Sequence, residues 1–181
     1  MPNAEGAGEQ AGAVLTIDLG AIVANYRLLC RRLGAVACAA VVKADAYGLG
    51  VSHVAPTLAE AGCRHFFVAQ LDEALALRPR LPGAAIGVFN GLFPGEEGIY
   101  AENHLLPVLN DLGQVDLWAG FAARQQRAMP AILHLDTGMS RLGLEPAEVA
   151  RLADDPARLD GIEVRTIMSH LACADQPPHP M

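Results

Sequence analysis

The stretch AVVKADAYGLG at residues 40–50 is the most informative part of this chain. An apolar run ends at Lys43, Tyr47 follows four residues later, and two glycines, Gly48 and Gly50, close the stretch. Residues 38–42 are small and β-branched enough to form a strand buried on both faces, so the strand register fixes where Lys43 emerges. The amine is therefore expected at the carboxyl tip of a strand, where barrel enzymes present their reactive groups.

This position suits Lys43 to nucleophilic chemistry. An amine at an apolar mouth loses hydration of its charged form, which leaves a fraction free to attack an aldehyde and form a Schiff base. The two glycines let the backbone turn towards the next helix, and the Tyr47 phenol can donate to an anion. From these residues alone, a lysine that merely solvates the edge of a sheet is an equal alternative.

Two further motifs place polar side chains after apolar runs. In LDTGMSRLG, residues 135–143, Arg141 follows a glycine turn, and its guanidinium can donate two hydrogen bonds to a carboxylate or phenolate. In MSHLACAD, residues 168–175, His170 ends a strand, and its ring can lie against a flat heteroaromatic ring. Each residue taken singly also allows a structural interpretation: Arg141 as a solvated arginine at a helix start, and His170 as a structural histidine.

Other polar residues receive structural interpretations. Asp45 and Asp136 flank two of the motifs and are expected to hold loops through hydrogen bonds to the backbone. The remaining histidines show no partner spacing and are interpreted as packing or surface groups: His53, His65, His104 and His179. The cysteines lack a C-x-x-C pair, which predicts buried reduced thiols instead of disulfides or a metal site: Cys30, Cys38, Cys63 and Cys173.

Composition restricts the partners. The chain has 181 residues, 52% of them hydrophobic, and a formal net charge of -7. Without a basic run to neutralise phosphates, neither nucleic acid nor an anionic membrane is expected as a partner, and a small metabolite is favoured. Residues 1–13 lack the pattern of a signal peptide, and no apolar segment approaches the roughly 20 residues of a spanning helix. A disordered tail at residues 1–13 and a cytoplasmic location are predicted.

Strand-like runs alternate with helical patterns along the chain. This βα alternation predicts a parallel sheet, either a barrel or an open doubly wound sheet, and no G-x-G-x-x-G turn supports a dinucleotide fold. The predicted strands are Ala37–Val42, His65–Ala69, Ala84–Val88, Leu105–Leu109, Ala131–Asp136 and Ile162–His170. The predicted helices are Ala21–Leu33 with Asp18 as a cap, Val51–Ala61, Leu71–Leu77, Asp111–Arg127 and Pro146–Ala153, with a loop at Asn90–Gly98.

Six strands are two fewer than a (β/α)₈ barrel needs, and such a barrel typically takes about 250 residues. The fold class expected is therefore α/β, an incomplete TIM barrel at residues 14–181 with two open sheet edges. The closing residues 176–181 read as a break inside a loop. The sequence is interpreted as an N-terminal fragment.

The three motifs, VVKADAYGLG, LDTGMSRLG and MSHLACAD, resemble alanine racemase, with similarity from about Leu15 to the last residue. The resemblance implies a pyridoxal-phosphate isomerase that interconverts L- and D-alanine, with Lys43 as Schiff-base residue and acid/base. It also implies that Tyr47 contacts the phosphate, that Arg141 contacts the phenolic oxygen of the cofactor and orients the substrate carboxylate, and that His170 lies against the cofactor ring. No metal is implied.

The same resemblance marks what this sequence does not contain. Many racemases carry a lysine, often carbamylated, where this chain has His134, so the sequence leaves open how Arg141 is held. In the family the second proton carrier is a tyrosine of a C-terminal β-domain, reaching the site of the partner subunit. The full-length form is accordingly expected to be a homodimer that supplies D-alanine for peptidoglycan, and this chain to be inactive alone.

Two other functions compete with racemisation. A non-catalytic pyridoxal-phosphate carrier uses a similar barrel without the β-domain, although carriers of that kind lack the ADAYG sequence after their lysine. A Schiff-base aldolase also uses a lysine at a strand tip, usually on a later strand and without the arginine motif. Loss of the alanine α-hydrogen to solvent separates both from a racemase.

Overall fold

Six parallel strands form one sheet in which each strand pairs with the next one along the chain. A computed structural model describes residues 12–176. A doubly wound sheet reverses its strand order part-way, so the sequential order decides for the barrel arrangement. The strands are β1 (Ala40–Val41), β2 (His65–Val68), β3 (Ala85–Val88), β4 (Leu105–Leu109), β5 (Met129–His134) and β6 (Ile162–Met168).

Helices connect the strands. Asp18 begins the first of them by accepting a hydrogen bond from Ala21 N at 3.0 Å, as predicted, and Asp111 caps a later one through Gln114 N at 2.8 Å. The helices are α1 (Leu19–Leu33), α2 (Val51–Glu60), α3 (Leu71–Leu77), α4 (Glu97–Glu102), α5 (Leu112–Gln125) and α6 (Pro146–Asp154). Short 3₁₀ turns follow α3 at Arg78–Arg80 and α6 at Pro156–Leu159.

The hydrophobic core lies between the sheet and its helices. Phe66 and Ile86 are register partners on β2 and β3, and both are completely buried. Trp118 of α5 stacks on Phe121 at a centroid distance of 5.4 Å and meets the ring of Tyr100 edge-on at 6.3 Å. Burial of each such side chain stabilises the fold by about 1.5–3 kcal/mol, so this layer holds the strand ends in place.

The opposite face of the sheet is open to solvent. Val41 of β1 is 41% exposed and Ile167 of β6 is 62% exposed, and a groove of about 660 Å³ runs along this face past Phe67 and Leu106. Within residues 12–176, β1 pairs only with β2 and β6 only with β5. The two open edges expected from a sheet of six strands are therefore present in the described part of the chain.

The first strand is shorter than predicted. It covers Ala40–Val41 instead of Ala37–Val42, and the exposure of Val41 shows that it is not buried on both faces. As an edge strand, β1 has one neighbouring strand among the described residues. No second neighbour there extends its backbone hydrogen bonding or covers Val41.

Other boundaries shift by a few residues. The predicted loop Asn90–Gly98 ends in the start of α4 at Glu97. Two strands are shorter at their carboxyl ends than predicted: β5 stops at His134 instead of Asp136, and β6 stops at Met168 instead of His170. The side chains of Asp136 and His170 bond to the backbone of the loops that follow these strands.

The remaining predictions about polar residues are confirmed only in part. All four cysteines are free thiols, as expected, but only Cys63 is buried and the other three are half-buried. His53, His65 and His104 are exposed, while His179 lies outside the described residues. Most of the predicted tail at residues 1–13 also lies outside them, so it stays a prediction. Among residues 12–176 no helix has the length and apolarity needed to cross a bilayer.

Candidate active site

The end of β1 places Lys43 above an aromatic floor. Val42 N donates to Phe67 O at 2.8 Å, which ties the strand end to β2. Phe67 stacks on Phe89 with centroids 5.1 Å apart, and Lys43 Nζ lies 5.9 Å from the centroid of the Phe89 ring. Lys43 is half-buried and is the only lysine in the sequence. The strand tip therefore presents one amine at a largely apolar surface, as the sequence predicts.

The four residues after Lys43 adopt left-handed helical backbone. Residues 44–47 have φ between 51° and 56°, and all carry a Cβ. This conformation costs roughly 1–2 kcal/mol per residue, so surrounding contacts must hold it. The buried Ala46 packs in the core, and Asp45 Oδ1 accepts from Val51 N at 2.7 Å, the loop-holding role predicted for Asp45. A tight turn was expected here from the glycines, and Gly48 does have φ of 82°.

The turn is also bonded to the neighbouring βα unit. Ala44 N donates to Glu73 Oε1 at 2.6 Å, and the other oxygen of that carboxylate accepts from Ala69 N and Gln70 N at 2.7 and 3.0 Å. Sequence reasoning missed Glu73. The available signal was its place three residues after Gln70, which fits a capping box at the start of α3.

Asp136 holds the loop that carries Arg141. Its Oδ1 accepts from Gly138 N and Ser140 N, both at 3.0 Å, which is the Asx-type role predicted for it. These backbone hydrogen bonds, that of Ser140 first, lower the pKa of the Asp136 carboxyl below its ordinary value. Arg141 itself is exposed and lies in this loop, not at a helix start. Its guanidinium is thus accessible to a ligand at the end of β5.

His134 is buried at the end of β5 beside Asn110, which follows β4. Asn110 Nδ2 donates to Phe89 O at 2.8 Å and to Val108 O at 2.9 Å. The amide oxygen therefore faces His134 Nδ1, 2.8 Å away, and that ring nitrogen must carry the proton. The neutral ring then has its lone pair on Nε2, where it can accept a hydrogen bond but not donate one. Asn110 was also missed, although it follows an apolar run just as Lys43 does.

Charge and packing around His134 agree with a neutral ring. Burial lowers its pKa below the ordinary value; Asp136 opposes this shift, and the charges of His170 and Arg141 add to it. The loop after Asp136 folds onto the ring, since a Cβ added to Gly143 would lie 3.2 Å from His134 Cδ2. His134 is thus packed directly against the segment that carries Arg141.

The end of β6 brings His170 to the same edge of the sheet. His170 is exposed, with Nδ1 2.8 Å from Leu171 O, and the adjacent Ser169 Oγ lies 3.1 Å from Thr137 Oγ1 in the β5 loop. Tyr47 is 64% exposed on the turn after β1. Because the strands are parallel, all four predicted site residues lie at the carboxyl edge, but the structure gives no hydrogen bond between any two of them. No metal-binding group of histidine, cysteine or carboxylate side chains occurs within residues 12–176.

A family model described as alanine racemase, N-terminal domain, matches residues 17–181. The chain belongs to this family. Curated alanine racemases are similar to it: that of Acidiphilium cryptum is 54% identical over 164 residues, and that of Brucella ovis is 52% identical over 168 residues. These alignments cover 90% and 92% of this chain but 45% and 42% of the relatives. The chain thus spans less than half the length of the curated relatives it matches.

A solved structure in the alanine racemase family supports the fold. The alanine racemase of Bartonella henselae, described with covalently bound pyridoxal phosphate, matches with a TM-score of 0.87 at 42% identity. The match covers 91% of this chain and 48% of that one. The six sequential strands and their helices therefore correspond to the N-terminal barrel of alanine racemases, as the sequence motifs predicted.

Proposed function

We propose that this chain forms the cofactor-binding part of an alanine racemase, an isomerase that interconverts L- and D-alanine with pyridoxal phosphate. The observation that carries the proposal is Lys43, the only lysine, at the tip of β1 on the edge that also bears Arg141 and His170. Support comes from the 91% coverage by a racemase structure described with covalently bound pyridoxal phosphate. Residues 14–181 are the proposed domain.

The residues at this edge fit the cofactor chemically. A half-buried amine beside stacked aromatic rings can react with an aldehyde, and the aromatic floor offers a flat apolar surface to a pyridine ring. When bound, pyridoxal phosphate supplies an electron sink that stabilises the negative charge left at the α-carbon of an amino acid. We propose that the Tyr47 hydroxyl donates a hydrogen bond to the phosphate of the cofactor and that His170 lies beside the pyridine ring.

Each polar group has a proposed role towards alanine. The Lys43 amine holds the cofactor and then moves a proton at the α-carbon on one face of the substrate. Arg141 orients the substrate carboxylate through paired N–H donors and also contacts the phenolic oxygen of the cofactor. Racemisation needs a second proton carrier on the opposite face, and we place it in a segment outside this chain, contributed by the partner subunit of a homodimer. A cytoplasmic enzyme that supplies D-alanine to peptidoglycan is the biological setting proposed.

Hydrogen exchange at alanine tests this function. The polypeptide encoded by the full reading frame that contains this chain is incubated with L-alanine and pyridoxal phosphate in deuterated water. We expect deuterium at the α-carbon together with D-alanine, and loss of both in Lys43→Ala. Exchange that persists in Lys43→Ala would refute the assignment of the lysine. Cofactor binding without any α-exchange would indicate the carrier instead.

A further inference from the structure

The backbone that presents Lys43 is intrinsically unfavourable. Four consecutive residues with a Cβ, at positions 44–47, have left-handed dihedral angles, which residues other than glycine adopt singly and seldom in series. Ala44 joins the lysine directly to this turn. A change in the turn would therefore re-aim the Lys43 side chain, whose position over Phe89 depends on where the strand stops.

Glu73 bonds to this turn in a way that helix capping alone does not require. Its Oε2 accepts from Ala69 N and Gln70 N, which are the donors at the start of α3. Its Oε1 accepts from Ala44 N at 2.6 Å, 29 residues earlier in the chain. One carboxylate therefore serves three N–H groups and joins the end of β1 to the start of the helix after β2. A charged acceptor makes these bonds stronger than those of a neutral amide.

We propose that Glu73 is a positioning residue for Lys43: its carboxylate locks the left-handed turn at Ala44 and thereby aims the amine. The catalytic consequence rests on the proposed function, whereas the lock itself does not. A glutamine has one acceptor oxygen, so it cannot serve Ala44 N and the α3 donors together. The orientation that keeps two of the three bonds leaves the amide oxygen on Ala69 N and Gln70 N and turns the NH₂ group towards Ala44 N–H. Glu73→Gln therefore removes the lock with little change in side-chain volume.

A matched control comes from the other half of the same cap. Gln70→Ala removes the side chain of the N-cap residue but keeps its backbone N–H, which donates to Glu73 Oε2, so it alters the start of α3 while leaving Glu73 Oε1 on Ala44. In the full-length polypeptide, hydrogen exchange by NMR should show Ala44 N–H exchanging roughly tenfold or more faster in Glu73→Gln and nearly unchanged in Gln70→Ala. Equal exchange at Ala44 in Glu73→Gln and the parent would overturn the proposal.

Racemase kinetics give the second readout. We expect kcat for alanine to fall roughly tenfold or more in Glu73→Gln, with KM within about twofold, because a misplaced amine slows proton transfer more than substrate binding. Gln70→Ala should keep the parent kcat. Faster exchange at Ala44 with an unchanged kcat would refute the positioning role. A parent without racemase activity would overturn the proposed function and leave the exchange experiment to decide whether the lock exists.

A rescue variant keeps the test valid if Glu73→Gln folds poorly. Glu73→Asp retains the charge but is one methylene shorter, so it cannot reach both Ala44 N and Ala69 N. Adding Ala44→Gly should restore most of the lost kcat, since glycine adopts positive φ without a Cβ clash. Failure of Ala44→Gly to raise kcat in the Glu73→Asp background would contradict the strained turn as the cause.

Discussion

Replacing Asn110 by aspartate tests the hydrogen-bond network at the ends of β4 and β5. The change keeps the shape of the side chain but turns its donor nitrogen into an oxygen. Two carbonyls, the partly buried Phe89 O and the buried Val108 O, would lose their bonds of 2.8 and 2.9 Å and face a carboxylate. Each unsatisfied buried group costs about 1–3 kcal/mol, so Asn110→Asp should lower the free energy of unfolding by about 3 kcal/mol at pH 7.

The pH dependence of this loss gives a sharper test, because the carboxylate would lie beside His134. In the parent, burial lowers the pKa of His134 below the ordinary 6.5, so the unfolded state binds the proton first and stability falls as pH drops below about 6.5. In Asn110→Asp the neighbouring negative charge raises that pKa. Stabilisation by the ion pair is then present at low pH and lost as pH rises through the raised pKa. The stability gap between parent and variant should therefore shrink between pH 7 and pH 5.5.

Urea unfolding followed by circular dichroism measures the gap at both pH values. Asn103 offers a matched control, since its Nδ2 also donates to a carbonyl, Ile99 O at 2.9 Å, but at an exposed site. Asn103→Asp should lower the free energy of unfolding by about 1 kcal/mol or less, and its difference from the parent should not shrink between pH 7 and pH 5.5. A variant Asn110→Asp as stable as its parent would refute the amide orientation that sets the tautomer of His134. A gap that widens at low pH would refute the ion pair expected between the new carboxylate and His134.

Three further outcomes are expected. Arg141→Lys in the full-length polypeptide should reduce kcat/KM by roughly tenfold or more while the urea midpoint stays the same, because only the forked contact is lost; unchanged kinetics would count against its role. The 181-residue chain alone should lack racemase activity and self-associate through its open strands β1 and β6, and a monomer by ultracentrifugation at high concentration would contradict this. Borohydride reduction with pyridoxal phosphate should tag Lys43 in peptide mass spectrometry, and a tag confined to the N-terminal amine would refute the site.

The order of elements could be predicted because it depends on local patterns. Strand-like runs alternate with segments of helical spacing, so five of the six predicted strands lie within two residues of those observed at each end. The exception is β1, an edge strand whose hydrogen-bonded pairing with β2 covers only Ala40–Val41. Polar residues after such runs, Lys43 and Arg141 among them, were placed at the carboxyl edge for the same reason, since parallel strands all end there.

Two features of the site were beyond such reasoning. Alanine favours right-handed helix, so no propensity predicts Ala44 and Ala46 in left-handed backbone; contacts with a carboxylate 29 residues away and with the core hold them there. The pairing of Asn110 with His134 likewise joins residues 24 positions apart, at the ends of the adjacent strands β4 and β5. No local pattern around Asn110 or His134 predicts that the two side chains form a hydrogen bond.

The sequence by itself therefore determined the order of the strands and helices and which polar residues follow the strands, and with them the family and the candidate chemistry, because hydrophobic periodicity and contiguous motifs are local properties. Only the tertiary structure decided how those residues are oriented. The tautomer of His134 and the aim of Lys43 depend on hydrogen bonds between groups that meet only when neighbouring βα units pack together.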